Sequence, residues 1–161
     1  MSWWGRLLGG KSRNDIAPRR VDYLNEAMAL ERQGDFEAAL TSYRLALRDQ
    51  PNDPKILLNI AIAYSRTGRL EDAIRSYRRA LELAPEQPGA HYGLSFLLLK
   101  RGDQVGAMRH LEAFLGASPA AAGMEQWVDH ARLTLGKLRG ETPQAETELE
   151  TESEKESGGQ A

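Results

Sequence analysis

The chain has 161 residues, 41% of them apolar and 27% charged, with a formal net charge of −2. That is enough apolar material for one core, which excludes wholesale disorder, and the lack of cysteine excludes disulfides, thiolate metal sites, iron–sulfur clusters and a cysteine nucleophile. The charge is uneven: residues 1–20 carry a net +4, residues 21–140 are balanced and residues 141–161 carry a net −6. A neutral body lacks the basic face a nucleic-acid binder uses to displace phosphate counterions, so no nucleic-acid partner is expected.

Residues 1–19 form a basic, amphipathic leader to the body. Trp3, Trp4, Leu7 and Leu8 would share one face of a short helix, with Arg6, Lys11 and Arg13 beside them. Three roles are open to it. It can be a terminus without a role, an interfacial membrane anchor using its tryptophans and cations at the headgroup layer, or an insert for an apolar groove of its own or another copy, which would give self-association. No run of about 18 apolar residues exists to span a membrane. The charges follow the apolar residues, so a secretory leader is not expected and the expected location is the cytoplasm, with peripheral membrane contact as the alternative. Gly9-Gly10-Lys11-Ser12 ends like a phosphate loop but lacks the preceding strand and the earlier glycine.

From residue 20 to residue 121 the chain repeats. Gly34, Gly68 and Gly102 stand 34 apart, as do Ala39, Ala73 and Ala107, and Pro51, Pro85 and Pro119. Tyr43, Tyr77 and Leu111 keep step, and so do Leu40, Ile74 and Met108. The units are 20–53, 54–87 and 88–121. Each reads as two helices, the first over roughly 21–33, 54–67 and 88–101 and the second over roughly 36–49, 70–83 and 104–117. Leu57, Ile60, Ala61 and Tyr64 give the apolar spacing of a helix. Gly68 suits a left-handed helix end, and Asp53 before Pro54 suits a helix start. Small residues (Ala39, Ala73 and Ala107, then Ala27, Ala61 and Ser95) fit where helices cross, since larger ones would overpack.

Residues 122–140 form a seventh, capping helix over roughly 123–139, with Met124, Trp127, Val128, Ala131, Leu135 and Leu138 on one face. Phe114 replaces the small residue seen at Ala46 and Ala80, and Gln104 replaces the large one seen at Phe36 and Leu70. Phe114 is therefore read as meeting this different neighbour. Residues 141–161, rich in Glu and without aromatics, cannot bury enough surface to order and form an acidic tail.

The run Leu57-Leu-Asn-Ile-Ala-Ile-Ala-Tyr64, Gly68-Arg-Leu70, Ala73, Tyr77, Ala80 and Pro85 resembles the tetratricopeptide repeat, a family known by its 34-residue period. The resemblance implies an all-α solenoid of three helix-turn-helix units plus the cap. It also implies a concave face lined by the first helices, where such domains bind peptides or helices. One place beyond the packing columns stand Leu24, Leu58 and Tyr92, then Met28, Ile62 and Phe96, with Leu99 extending the stripe. Asn59, Arg66 and Lys100 flank it. These ten are the expected partner-binding residues, for an apolar or amphipathic peptide or helix. Arg32, Arg66 and Lys100 form a basic column that complements the helix dipoles or grips a partner's acidic groups. The subtype that clamps acidic chaperone C-termini is not expected, because Leu24, Met28, Gly89 and Gly93 stand where its Lys, Asn and basic residues would be.

Catalysis finds no support. His91, His110 and His130 lie 19 and 20 apart with no partner one helical turn away, so neither a metal site nor a cofactor is expected, and His91 is read as a partly buried structural residue. The expectation is a non-enzymatic adaptor, with a membrane-surface scaffold assembling through Trp3 and Trp4 as the alternative.

Overall fold

A computed structural model describes residues 22–117 and 123–140. Trp3, Trp4, Leu7, Leu8 and the acidic tail lie outside the described residues. Aspartates open the first three helices. Asp22 accepts a hydrogen bond from the Asn25 amide at 3.1 Å and starts α1 (Tyr23–Arg32). Asp35 does the same for α2 (Phe36–Asp49) through the Ala38 amide at 3.1 Å. Asp53 accepts from the amides of Lys55 at 2.8 Å and Ile56 at 3.3 Å and, with Pro54 at the first helical position, starts α3 (Pro54–Arg66). The next elements are α4 (Leu70–Leu83), α5 (Pro88–Arg101), α6 (Gln104–Ala117) and α7 (Glu125–Arg139). Gly34, Gly68 and Gly102 follow the first helix of each unit with φ of +82°, +77° and +89°, a conformation that side chains rarely tolerate.

Helices α1 and α2, α3 and α4, and α5 and α6 form three hairpins. The hairpins stack through α2 on α3 and α4 on α5, and α3 also touches α5 along the inner side. The result is the all-α solenoid. Ala39, Ala73 and Ala107, and on the first helices Ala27, Ala61 and Ser95, have no accessible surface, so these small residues let the backbones approach. One core cluster runs through all three hairpins, with Tyr43, Ile56, Leu94 and Leu98 among its large buried members. Each such side chain contributes roughly 1.5–3 kcal/mol of burial.

A second cluster joins α6 to α7 through Leu111, Phe114, Ala131 and Leu135. Phe114 is fully buried there, filling against α7 the space that Ala46 and Ala80 leave for a following hairpin. Helix α7 begins at Glu125 rather than at 123, because Gly123 takes φ +92° and turns the chain first. Arg139 pairs with Glu112 at 2.7 Å and ties the far end of α7 to α6. Among the described residues no helix is long and apolar enough to cross a membrane.

Candidate functional site

The inner face is built by α1, α3 and α5, and α7 packs over its C-terminal end. Leu24, Leu58, Ile62 and Leu99 are half-buried, each resting one side on the main core. Met28 keeps 38% of its surface exposed. Asn59 is half-buried, and Arg32, Arg66 and Lys100 are exposed. None of these three cations makes an ion pair among the described residues.

Tyr92 and Phe96 behave differently from the rest of the stripe. The imidazole of His130 on α7 stacks on Phe96 at a centroid distance of 4.9 Å and an angle of 4°. Its Nδ1 lies 2.6 Å from the Tyr92 hydroxyl. Trp127 meets the Tyr92 ring edge-on at 5.3 Å, and Phe114 meets it from below at 5.1 Å. Both residues thus pack against the second cluster. The expected continuous stripe is interrupted: the chain's own seventh helix takes the C-terminal third, and Trp127, 44% exposed, extends the apolar surface in its place.

What stays open is a cavity of about 440 Å³ between α3, α5 and α7, walled by Ile62, Tyr77, Tyr92, Phe114, Met124 and Trp127. Among the described residues Arg66 is the one charged residue in its lining, beside Ser65. Tyr77 reaches this cavity from α4 on the outer layer, and Gly93 lets it through. A Cβ at residue 93 would lie 2.4 Å from the Tyr77 hydroxyl oxygen and 2.5 Å from its Cζ. Tyr77 is only 4% exposed, yet its hydroxyl has no hydrogen-bond partner among the described residues. Burial pushes its pKa up to about 12, with Arg66 pulling it down and Glu31 pushing it up. The group therefore stays a neutral O–H at working pH, able to donate to whatever enters.

A second cavity, of about 460 Å³, lies between α1 and α3 and is lined by Met28, Phe36, Asn59, Glu31, Arg32 and Arg66. Tyr43, the repeat counterpart of Tyr77, donates its hydroxyl to Glu31 there. Burial first, and then Glu31, push the Tyr43 pKa up. Arg66 borders both cavities. A third recess, about 470 Å³ at the Gln50–Lys55 turn, is formed by the turn alone and lacks an apolar side chain larger than proline.

Sequence spacing missed one pair. His91 Nδ1 lies 2.9 Å from His110 Nδ1 across the α5–α6 hairpin, and His91 Nε2 lies 2.8 Å from the Pro85 carbonyl. With Nε2–H donating to the Pro85 carbonyl, His91 Nδ1 is placed to accept from the His110 Nδ1–H. Burial holds the His110 pKa down to about 4, helped by His91, Arg109 and Arg78 and opposed by Asp103. Among the described residues no three His, Asp or Glu side chains gather as a metal site would require.

Comparison with known proteins supplies the family. A tetratricopeptide repeat model matches residues 24–88 and again 58–122. No curated protein matches the chain. Among solved structures, the Yersinia enterocolitica type III secretion chaperone SycD, in complex with a peptide of the translocator YopD, is 15% identical, with a TM-score of 0.69 over 73% of this chain and 89% of that one. The Sgt2 TPR domain from Aspergillus fumigatus is 23% identical, with a TM-score of 0.62 over 75% and 83%. The first TPR of Spaghetti (RPAP3), bound to the HSP90 peptide SRMEEVD, is 19% identical, with a TM-score of 0.64 over 73% and 88%. The two overlapping windows of the model cover the three helix hairpins that the 34-residue columns mark out, and the chain belongs to the tetratricopeptide repeat family.

Proposed function

We propose that the protein is a non-enzymatic adaptor whose trough, from Met28 on α1 through Leu58 and Ile62 on α3 to Trp127 on α7, takes up an apolar or amphipathic peptide or helix. The observation that carries this reading is the cavity between α3, α5 and α7: apolar walls, one arginine without an ion pair among the described residues, and a tyrosine hydroxyl without a hydrogen-bond partner among them. An apolar pocket with a few convergent polar groups is the usual form of a recognition site. Similar folds hold peptides, as SycD does with YopD and RPAP3 with the HSP90 peptide, which supports the ligand class.

Burying ~600 Å² of apolar surface at ~25 cal/mol/Å² grosses roughly 15 kcal/mol. Association and side-chain ordering offset most of that, so micromolar affinity is expected. The test is selection of a displayed random-peptide library on the full chain, followed by titration of the winning peptide into Ile62→Glu. The substitution should weaken binding at least tenfold while the thermal midpoint and helical circular dichroism stay near wild type. A folded Ile62→Glu protein that binds the selected peptides unchanged removes the trough from consideration. Peripheral membrane contact through Trp3, Trp4, Leu7 and Leu8 is checked separately by liposome flotation of the full chain against Trp3→Ser/Trp4→Ser, where equal partition argues against an anchor.

A further inference from the structure

We infer that the acidic segment following α7 docks in the trough of its own chain, with Leu149 entering the α3–α5–α7 cavity and the glutamates beside it meeting Arg66 and the Tyr77 hydroxyl. This regulates the site and rests on the reading of that cavity as the peptide-binding one.

Three observations carry it. The first is chemical complementarity. The cavity offers apolar walls, a single cation that makes no ion pair among the described residues, and a Tyr77 hydroxyl that has no hydrogen-bond partner among them. A ligand that satisfies all three needs one aliphatic side chain with carboxylates next to it. Residues 146–152 read Glu-Thr-Glu-Leu-Glu-Thr-Glu, and Leu149 is the one large apolar residue of the tail.

The second is charge. The tail carries a net −6, whereas Arg66 is the only charged residue lining the cavity among the described residues. Glu31 lies in the neighbouring cavity and is engaged by the Tyr43 hydroxyl. The third is reach. Trp127 and Arg139 on α7 are separated by roughly 18 Å of helix axis. The nine residue steps from Gly140 to Leu149 can extend roughly 30 Å, enough to return along α7 to the cavity.

Because the chain has no cysteine, a designed pair reports the contact without background. The full chain carrying Ser65→Cys and Thr151→Cys keeps Leu149 and its flanking glutamates. Its rate of intramolecular disulfide formation under mild oxidation is compared with that of Ser65→Cys/Ser157→Cys. An undocked coil would favour residue 151 over residue 157 by only about twofold, from the −3/2-power dependence on tether length. Docking should give at least a tenfold preference, which Leu149→Ser, Arg66→Glu or about 0.5 M salt each brings back toward twofold. Tyr77→Phe should reduce it partially.

A preference of threefold or less, one that Leu149→Ser leaves unchanged, or disulfides formed only between two copies would overturn the inference. The tail would then lie in solvent, on the basic residues 1–20 or on a second molecule. If docking occurs, replacing Glu146, Glu148, Glu150 and Glu152 by glutamine should raise the affinity of a library-selected peptide severalfold. If cross-linking fails while such peptides still bind through Ile62, docking of the tail is wrong and the trough remains the binding site.

Discussion

Gly93 is the point where packing can be tested most sharply, because two effects of known sign compete there. Replacing a mid-helix glycine by alanine ordinarily stabilises a helix by about 1 kcal/mol. At residue 93 the added methyl would stand 2.4 Å from the Tyr77 hydroxyl oxygen, 2.5 Å from Cζ and 2.9 Å from Cε1. A rigid ring held at 4% exposure cannot swing aside cheaply, so the overpacking cost of about 1–3 kcal/mol outweighs the propensity gain. Gly93→Ala should therefore destabilise the protein by up to about 2 kcal/mol.

The third hairpin supplies the control, since it carries Leu111 where the others carry Tyr43 and Tyr77. In a Tyr77→Leu background the clash is gone, and Gly93→Ala should stabilise by about 0.5–1 kcal/mol. Tyr77→Phe, which keeps Cζ, should leave the substitution destabilising. Urea unfolding of the four proteins of the Gly93–Tyr77 cycle, followed by circular dichroism, should yield a coupling of about 1–3 kcal/mol. If Gly93→Ala changes stability equally in both backgrounds, Tyr77 does not thread beneath α5.

Two further outcomes follow from side chains outside the trough. The unfolded chain protonates His110 near its ordinary pKa of about 6.5, while the folded protein resists until about 4, so the folded state binds fewer protons in that window and stability falls as pH drops through it. His110→Gln should lose less stability than wild type between pH 7 and pH 5 in denaturant titrations; equal losses would show that the hairpin does not hold His110 neutral. Phe114→Ala should cost about 3–5 kcal/mol, because it empties the centre of the α6–α7 cluster. Hydrogen exchange should then show α7 opening before α3 and α4, and uniform opening of all helices would contradict a separate C-terminal cluster.

Much of the framework was legible before any coordinates, for identifiable reasons. A helix hairpin needs a small residue at its crossing and a left-handed glycine at its turn, so Ala39, Ala73 and Ala107 and Gly34, Gly68 and Gly102 announce the hairpins wherever they recur. Phe114 was legible as a change of neighbour, since its size breaks a column of alanines. The path of α7 was not. An apolar face on residues 124–138 shows that the helix docks, but the same face satisfies α6 alone or α6 and α5 together. Only the folded chain shows His130 and Trp127 reaching Tyr92 and Phe96. The His91–His110 contact was also hidden, because residues 19 apart meet through the hairpin and not through a helical period. Tyr77 left a faint signal. Gly93 stands where Asn25 and Asn59 stand in the other units, and a glycine inside a helix marks a close approach by something.

The most direct test of the trough is methyl nuclear magnetic resonance on the full chain bound to a library-selected peptide. Peptide occupancy between α3 and α7 predicts intermolecular contacts to the methyls of Ile62 and Met124, which wall the cavity. Contacts confined to Leu83 and Val105, exposed apolar residues of the second helices, with Ile62 and Met124 unchanged, would place the partner on the outer face and contradict the reading.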